Sequence, residues 1–354
     1  MNFDSANLDV GHAGTAYRFL TAFLAISSRQ KVLTGSERMK KRPIKTLVDA
    51  LRTLGADIEY LGEEGYPPLK IQGKQLEGGR IDVDGGISSQ FISALMLIAP
   101  TMRKGLDINL NGKIVSKPYI QMTAQLMQEC GIAIELKSNM IRIPYGKYKL
   151  GKKTVEKDWS AASFWYQLAL VGKIEQLHIA GLKEQSVQGD IHVKDIFLEH
   201  GVRSHFKDDG VELSYHAPNN KNKSFVHDFT DVPDLTQPYV VAMSIIGQKV
   251  EVNGIQHLKI KETNRIEALR AELSKIGVVI EITPNSIKVC SGIDEEDFRG
   301  EIQTYQDHRM AMAFATLAIP LREIEIENPE VVRKSYPLFW EQLKKLGFKL
   351  ELEN

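Results

Sequence analysis

The stretch LVDALRTLGADIEYL, residues 47–61, holds an amphipathic helical run, a glycine and a short alternating apolar segment. A glycine just past the last helical turn suits the left-handed C-cap, and the alternation behind it suits a half-buried strand. The pattern returns as TAQLMQECGIAIEL (123–136), VKDIFLEHGVRSHF (193–206), ALRAELSKIGVVIEI (268–282) and WEQLKKLGFKLELE (340–353). Its glycines, Gly55, Gly131, Gly201, Gly277 and Gly347, lie 76, 70, 76 and 70 residues apart. Two alternating spacings mean α/β units paired at a period of 146 residues, a repeat architecture.

The chain has 354 residues, more than one core ordinarily holds, so two domains are expected. The Lys- and Gly-rich segment YGKYKLGKKTVEKDW, 145–159, is the junction, giving domains 1–153 and 154–354. The polar stretch HAPNNKNKSF, 216–225, reads as a solvated turn. Hydrophobic residues make up 43% and charged residues 25%, the balance of a globular protein. Lys plus Arg and Asp plus Glu each total 45, which argues against a bulk electrostatic nucleic-acid binder but leaves room for a local basic cleft. Cys130 and Cys290 form no CxxC pair, so neither a metal site nor a disulfide framework is expected. No apolar run reaches the roughly 18 residues of a membrane span. The start MNFDSANLDVGHAG lacks the basic and apolar regions of a signal peptide. The expected compartment is the cytoplasm.

Short segments rich in polar residues stand where helices begin. In GHAGTAYRFL, 11–20, the small residues around Gly14 and Thr15 expose backbone N–H groups at a positive helix end, an anion site or an ordinary tight turn. In GSERMKKRPIKTL, 35–47, Lys40, Lys41 and Lys45 read as a solvated face, while Arg38 can clamp a carboxylate or phosphate. Pro43 is expected in the first turn of the helix that follows. Ser88, Ser89 and Gln90 of GGISSQF are either an N-cap pair or a wrap for phosphate oxygens. SKPYIQ repeats that theme with Ser116 and Tyr119. Asp234 of DVPDLTQP is an N-cap or a general base. In KETNRIEALRAEL, Lys261 and Arg265 read as i, i+4 neighbours in the first turn of a helix, with Glu262 between them. Two cations there oppose the macrodipole, a misfit that an anionic ligand would resolve. TYQDHRMAM brings Asp307, His308 and Arg309, and VVRKSYP brings Lys334. Recurrent cations in both halves point to one polyanionic site between two domains.

In order and spacing, GHAGTAYR, RMKKRPI, DGGISSQF, SKPY, the Pro-Asp at 233–234, KETNR, YQDHRMAM and RKSYP resemble the signatures of the EPSP synthase family, from about residue 8 onward. The resemblance implies an inside-out α/β barrel of two domains built of βαβαββ repeats, with the first repeat missing or incomplete here. It implies transfer of the carboxyvinyl group of phosphoenolpyruvate to the 5-hydroxyl of shikimate 3-phosphate, without metal or organic cofactor. It implies a monomer acting on these two small molecules, with neither nucleic acid nor membrane as partner. By motif matching, Ser88, Ser89, Gln90, Ser116, Tyr119 and Lys261 would hold shikimate 3-phosphate. Gly14, Arg38, Arg265, Arg309 and Lys334 would hold phosphoenolpyruvate, Thr15 and Asp307 would also bind substrate, and Gln90 would touch both substrates. Asp234 would take the hydroxyl proton, Glu262 with Lys334 would move a proton at the vinyl carbon, and Arg18 would support its loop.

The sequence departs from the family pattern in several places. The N-terminal Lys-Ser…Arg motif is absent, which implies weak binding and poor turnover. Phe19 replaces the usual Pro, Asn264 stands where Asp is common, and His257 stands where Asn often assists substrate binding. Two other readings are a catalytically impaired remnant of the same enzyme and the related UDP-N-acetylglucosamine enolpyruvyl transferase. The latter typically carries a loop Cys where RMKKRPI stands, and none is there. A nucleic-acid-binding repeat protein would need an aromatic stacking stripe or a basic excess.

Overall fold

In the computed structural model all five marked glycines adopt the left-handed region, with φ of +96° at Gly55, +83° at Gly131, +97° at Gly201, +74° at Gly277 and +97° at Gly347. Only a residue without Cβ enters this region at little cost. At Gly55 the N–H donates to Arg52 O and the N–H of Ala56 reaches back to Leu51 O, both at 2.9 Å. The same long reach joins Ile132 to Met127 at 3.0 Å, Val278 to Leu273 at 3.1 Å and Phe348 to Leu343 at 3.2 Å. This paired closure satisfies carbonyls that a helix end leaves open.

The structure describes residues 5–86, 88–149, 151–218, 224–294, 298 and 300–351. The centre of the polar 216–225 stretch lies outside these residues. The chain divides into two units, Met1–Thr154 and Val155–Asn354, each with its own apolar core.

The first unit runs β1 (Asn7–Asp9), α1 (Gly14–Ala25), β2 (Gln30–Thr34), α2 (Glu37–Lys40), α3 (Lys45–Thr53), β3 (Asp57–Tyr60) and β4 (Leu69–Gln72). It continues with β5 (Gly79–Asp84), α4 (Ser89–Ile98), β6 (Leu106–Asn111), α5 (Lys117–Glu129), β7 (Glu135–Leu136) and β8 (Met140–Ile143). Its sheets have the orders β1-β2-β4-β3 and β5-β6-β8-β7. In each, the first pair is parallel and the others antiparallel.

The second unit begins α6 (Trp159–Val171), β9 (Leu177–Ala180), α7 (Val193–Leu198), β10 (Val202–Lys207) and β11 (Gly210–Tyr215). Then come β12 (Phe225–Asp228), α8 (Thr236–Ile245), β13 (Val250–Asn253), α9 (Arg265–Ser274), β14 (Ile280–Ile282) and β15 (Ser286–Val289). It closes with β16 (Glu301–Ile302), α10 (His308–Phe314), α11 (Ala318–Leu321), β17 (Glu325–Ile326) and α12 (Phe339–Lys345). The order β12-β13-β15-β14 repeats the plan of the first unit, β10-β11-β9 has three of its four strands, and β16 pairs parallel with β17. The strand expected after Gly347 is not among the described elements. In the complete sheets that strand pairs only with the fourth strand, and no fourth strand follows α12 among the described residues.

Helices form the inside of each unit. All of α10 and nearly all of α4, α6 and α8 are buried, as expected of helices that are apolar all round. The sheets are one-sided, β5 alternating buried and open positions, so they cover the helices from outside. This is the inside-out arrangement of the repeat. Among the described residues no helix is long and apolar enough to cross a membrane.

Candidate active site

In the second unit, side chains from four segments converge on Arg265. This residue opens α9, capped by Asn264, whose side chain accepts from Glu267 N at 3.4 Å. Because the cap stands at 264, Lys261 and Glu262 lie before the helix, Lys261 in extended backbone after a short 3-10 turn. The expected i, i+4 pair of cations on one helix is therefore not formed. Arg265 is only 2% exposed. Its Nε donates to Asp307 Oδ2 at 2.7 Å, its Nη1 to Asp234 Oδ1 at 3.0 Å and its Nη2 to Glu262 Oε2 at 3.0 Å. Arg309 Nη2 takes the other oxygen of Asp234 at 2.8 Å. Lys334, on the turn 329–334, donates to Glu262 Oε1. Of these three carboxylates, Asp234 and Glu262 thus each lie between two cations.

Each side chain is delivered by a local device. Asp307 is the N-cap of α10, accepting from Arg309 N at 2.9 Å, and is fully buried. Asp234 sits on a 3-10 turn, Pro233–Leu235, and the N-cap position of α8 falls to Leu235, so the plain capping reading of Asp234 is not realised. Pro43 likewise precedes the N-cap of α3, Ile44.

The electrostatics follow from burial and pairing. Burial alone would push the Asp234 carboxyl up, but Arg309, Arg265 and Lys261 outweigh it and hold the carboxyl well below the usual range. Asp307 is held down against burial by Arg265. His257 is pushed down to about 4 by burial and by Lys261, and His308 to about 3 by burial. Asp190, which the sequence reading passed over, is buried and accepts from Ser160 Oγ. Burial and then the charge of Asp234 push it up to about 6. Its segment, VQGDIH, shows only an Asp before a helix, a pattern that any N-cap shares.

The first unit carries a second polar group. Gly14 is the first residue of α1 and buried; a Cβ there would stand 2.5 Å from Arg18 Nη1 and collide with Arg42. Two buried guanidinium groups therefore close over the helix start, and Arg18 also lies 5.6 Å from the centre of the Phe91 ring. Arg42 came from a run that otherwise faces water, since Lys40 pairs with Glu37 and Lys45 with Asp49 and Glu64. Gln90 Nε2 donates to Thr15 Oγ1 at 2.8 Å. Ser88 is the N-cap of α4 without a side-chain cap bond, and Ser89 follows as a buried residue. Ser116, N-cap of α5, is buried with φ +55° and also makes no cap bond. A non-glycine residue held there is strained, a feature that clusters at ligand sites. Tyr119 N closes that turn on Ser116 O at 3.1 Å, and Arg38 lies half-buried in α2.

Residues 1–343 match the family model described as EPSP synthase (3-phosphoshikimate 1-carboxyvinyltransferase). The chain belongs to the EPSP synthase family. The 3-phosphoshikimate 1-carboxyvinyltransferase of Bacteroides fragilis is 43% identical over 351 residues, covering 98% of this chain and 84% of the relative. That of Mannheimia haemolytica is 35% identical over 349 residues, covering 96% and 79%. The solved EPSP synthase of Acinetobacter baumannii superposes with a TM-score of 0.72 at 23% identity, over 99% of this chain and 81% of that one. The EPSP synthase fold accounts for the mixed sheets and enclosed helices described above.

Proposed function

We propose that the chain transfers the carboxyvinyl group of phosphoenolpyruvate to the 5-hydroxyl of shikimate 3-phosphate, releasing phosphate. Family membership supports the reaction. The observation that carries the assignment of roles is the grip of Arg265 on Asp234, Glu262 and Asp307 together. Ser88, Ser89, Gln90, Ser116, Tyr119 and Lys261 hold shikimate 3-phosphate. Gly14, Thr15, Arg38, Arg265, Arg309 and Lys334 hold phosphoenolpyruvate, and Gln90 reaches both. The domain 1–153 is then the shikimate 3-phosphate side and the domain 154–354 the phosphoenolpyruvate side.

Substitution at a vinyl carbon requires addition and then elimination. The 5-oxygen bonds to C2 as C3 gains a proton; phosphate then leaves C2 as C3 loses one. Asp234 accepts the hydroxyl proton, and Glu262 with Lys334 moves the proton at C3. A carboxylate held on two guanidinium groups is a poor base. Phosphoenolpyruvate supplies a carboxylate and a phosphate of about −1.5 to −2 charge. By taking donors from Arg265 and Arg309, it frees Asp234 and raises its proton affinity. Binding of the second substrate thus prepares the base. Asp307, without exposed surface, orients Arg265 and does not meet substrate.

The enzyme works on these two small molecules in the cytoplasm, as a monomer. The test is phosphate release from phosphoenolpyruvate by the full chain, with and without shikimate 3-phosphate. Release that needs both supports the proposal. No release, or release without the acceptor, refutes it.

A further inference from the structure

The loop 303–307, between β16 and α10, carries two successive non-glycine residues in the left-handed region, Tyr305 at φ +54° and Gln306 at +58°. Side chains with a Cβ enter that region only when their surroundings hold them there. The holding group is Glu272, a carboxylate on α9 with no exposed surface. Its Oε1 accepts from Tyr305 Oη at 2.6 Å. Its Oε2 accepts from Gln303 N at 3.0 Å and from Lys275 Nζ at 2.6 Å. The loop closes on itself where Asp307 N donates to Thr304 O at 2.9 Å.

Glu272 stands seven residues, two helical turns, after Arg265, so both lie on one face of α9. One helix therefore clamps the loop at both ends, with Glu272 at Gln303 and Tyr305 and Arg265 at Asp307. Between the clamps the chain takes the left-handed turn at Tyr305 and Gln306. Its exit sets Asp307 as N-cap of α10 and, two residues on, Arg309 against Asp234. We infer that Glu272, acting through Tyr305, is a positioning residue that fixes Asp307 and Arg309 around Arg265 and so sets the geometry of the phosphoenolpyruvate half of the site.

This inference rests on the function proposed above, and its test separates the two. Tyr305→Phe removes one hydrogen bond and keeps the ring. The full chain and this variant are compared by steady-state kinetics, melting temperature and hydrogen exchange of residues 303–310. The expected result is a KM for phosphoenolpyruvate raised about tenfold, the cost of a loosened clamp. The KM for shikimate 3-phosphate stays within about twofold, because Ser88, Ser89, Gln90, Ser116 and Tyr119, which hold it, lie in the first unit. Exchange in 303–310 is faster and the melting temperature close to that of the parent. Unchanged exchange and an unchanged KM for phosphoenolpyruvate would overturn the inference. So would a fall in melting temperature with both KM values moving together, which marks a merely structural contact. A parent chain without turnover refutes the functional proposal alone, and the exchange comparison then decides this one.

Discussion

At the residue scale the proposed chemistry rests on Asp234, whose oxygens accept from Arg265 at 3.0 Å and Arg309 at 2.8 Å. Asp234→Asn keeps an acceptor and removes the base. We expect kcat to fall by about 10²–10⁴, read as phosphate release, with the circular dichroism spectrum retained. His308 makes a separate prediction. It is buried, its Nδ1 stands 3.6 Å from Asp307 Oδ1, and it titrates near 3 against an ordinary 6.5. The unfolded chain therefore takes up this proton before the folded one does. The contribution of His308 to stability is complete above pH 6.5 and is lost as pH falls from 6.5 towards 3. Asp190 works in the opposite direction between 3.8 and about 6, where its raised value makes stability fall as pH rises. The measurement must therefore be a difference. The melting temperature of His308→Gln should fall less between pH 6.5 and 4 than that of the parent.

At the scale of the element, the glycine caps are equivalent in conformation but not in surroundings. Gly55 has open space where a Cβ would go, whereas at Gly277 that atom would stand 2.7 Å from Asp294 Cβ. Gly55→Ala should cost only the left-handed strain, about 1–2 kcal/mol. Gly277→Ala carries the same strain and a clash, so its melting temperature should fall further, as thermal unfolding of the two variants will show. The start of α9 shows how one cap reshapes a site. Asn264, not Lys261, fixes the first turn. Lys261 is thereby released from the helix to an extended position, where its charge acts on both Asp234 and His257.

At the scale of the whole molecule, each unit has a core of its own, and Asp234, Lys261, Glu262, Arg265, Arg309 and Lys334 all belong to the second. Residues 155–354 expressed alone should unfold cooperatively and bind phosphoenolpyruvate more weakly than the full chain in calorimetric titration, because Gly14, Thr15 and Arg38 lie in the first unit. They should not release phosphate, because Ser88, Ser89, Gln90 and Ser116 lie in the first unit. Turnover by that fragment would remove the first unit from the chemistry.

The sequence by itself determined the repeat, its left-handed caps and the family. Each of these depends on residues within a helical turn of one another, or on motifs in fixed order. It also pointed to Asp234, Glu262, Arg265, Arg309 and Lys334 as a set. Only the tertiary structure decided how they are joined. Arg265 and Asp307 are 42 residues apart in sequence, Glu262 and Lys334 are 72 apart, and Asp234 and Arg309 are 75 apart. Which carboxylate oxygen meets which guanidinium depends on helices α8, α9 and α10 burying their apolar faces in one core. That non-local burial, and not any local propensity, also turned Glu272 and Arg42 inward.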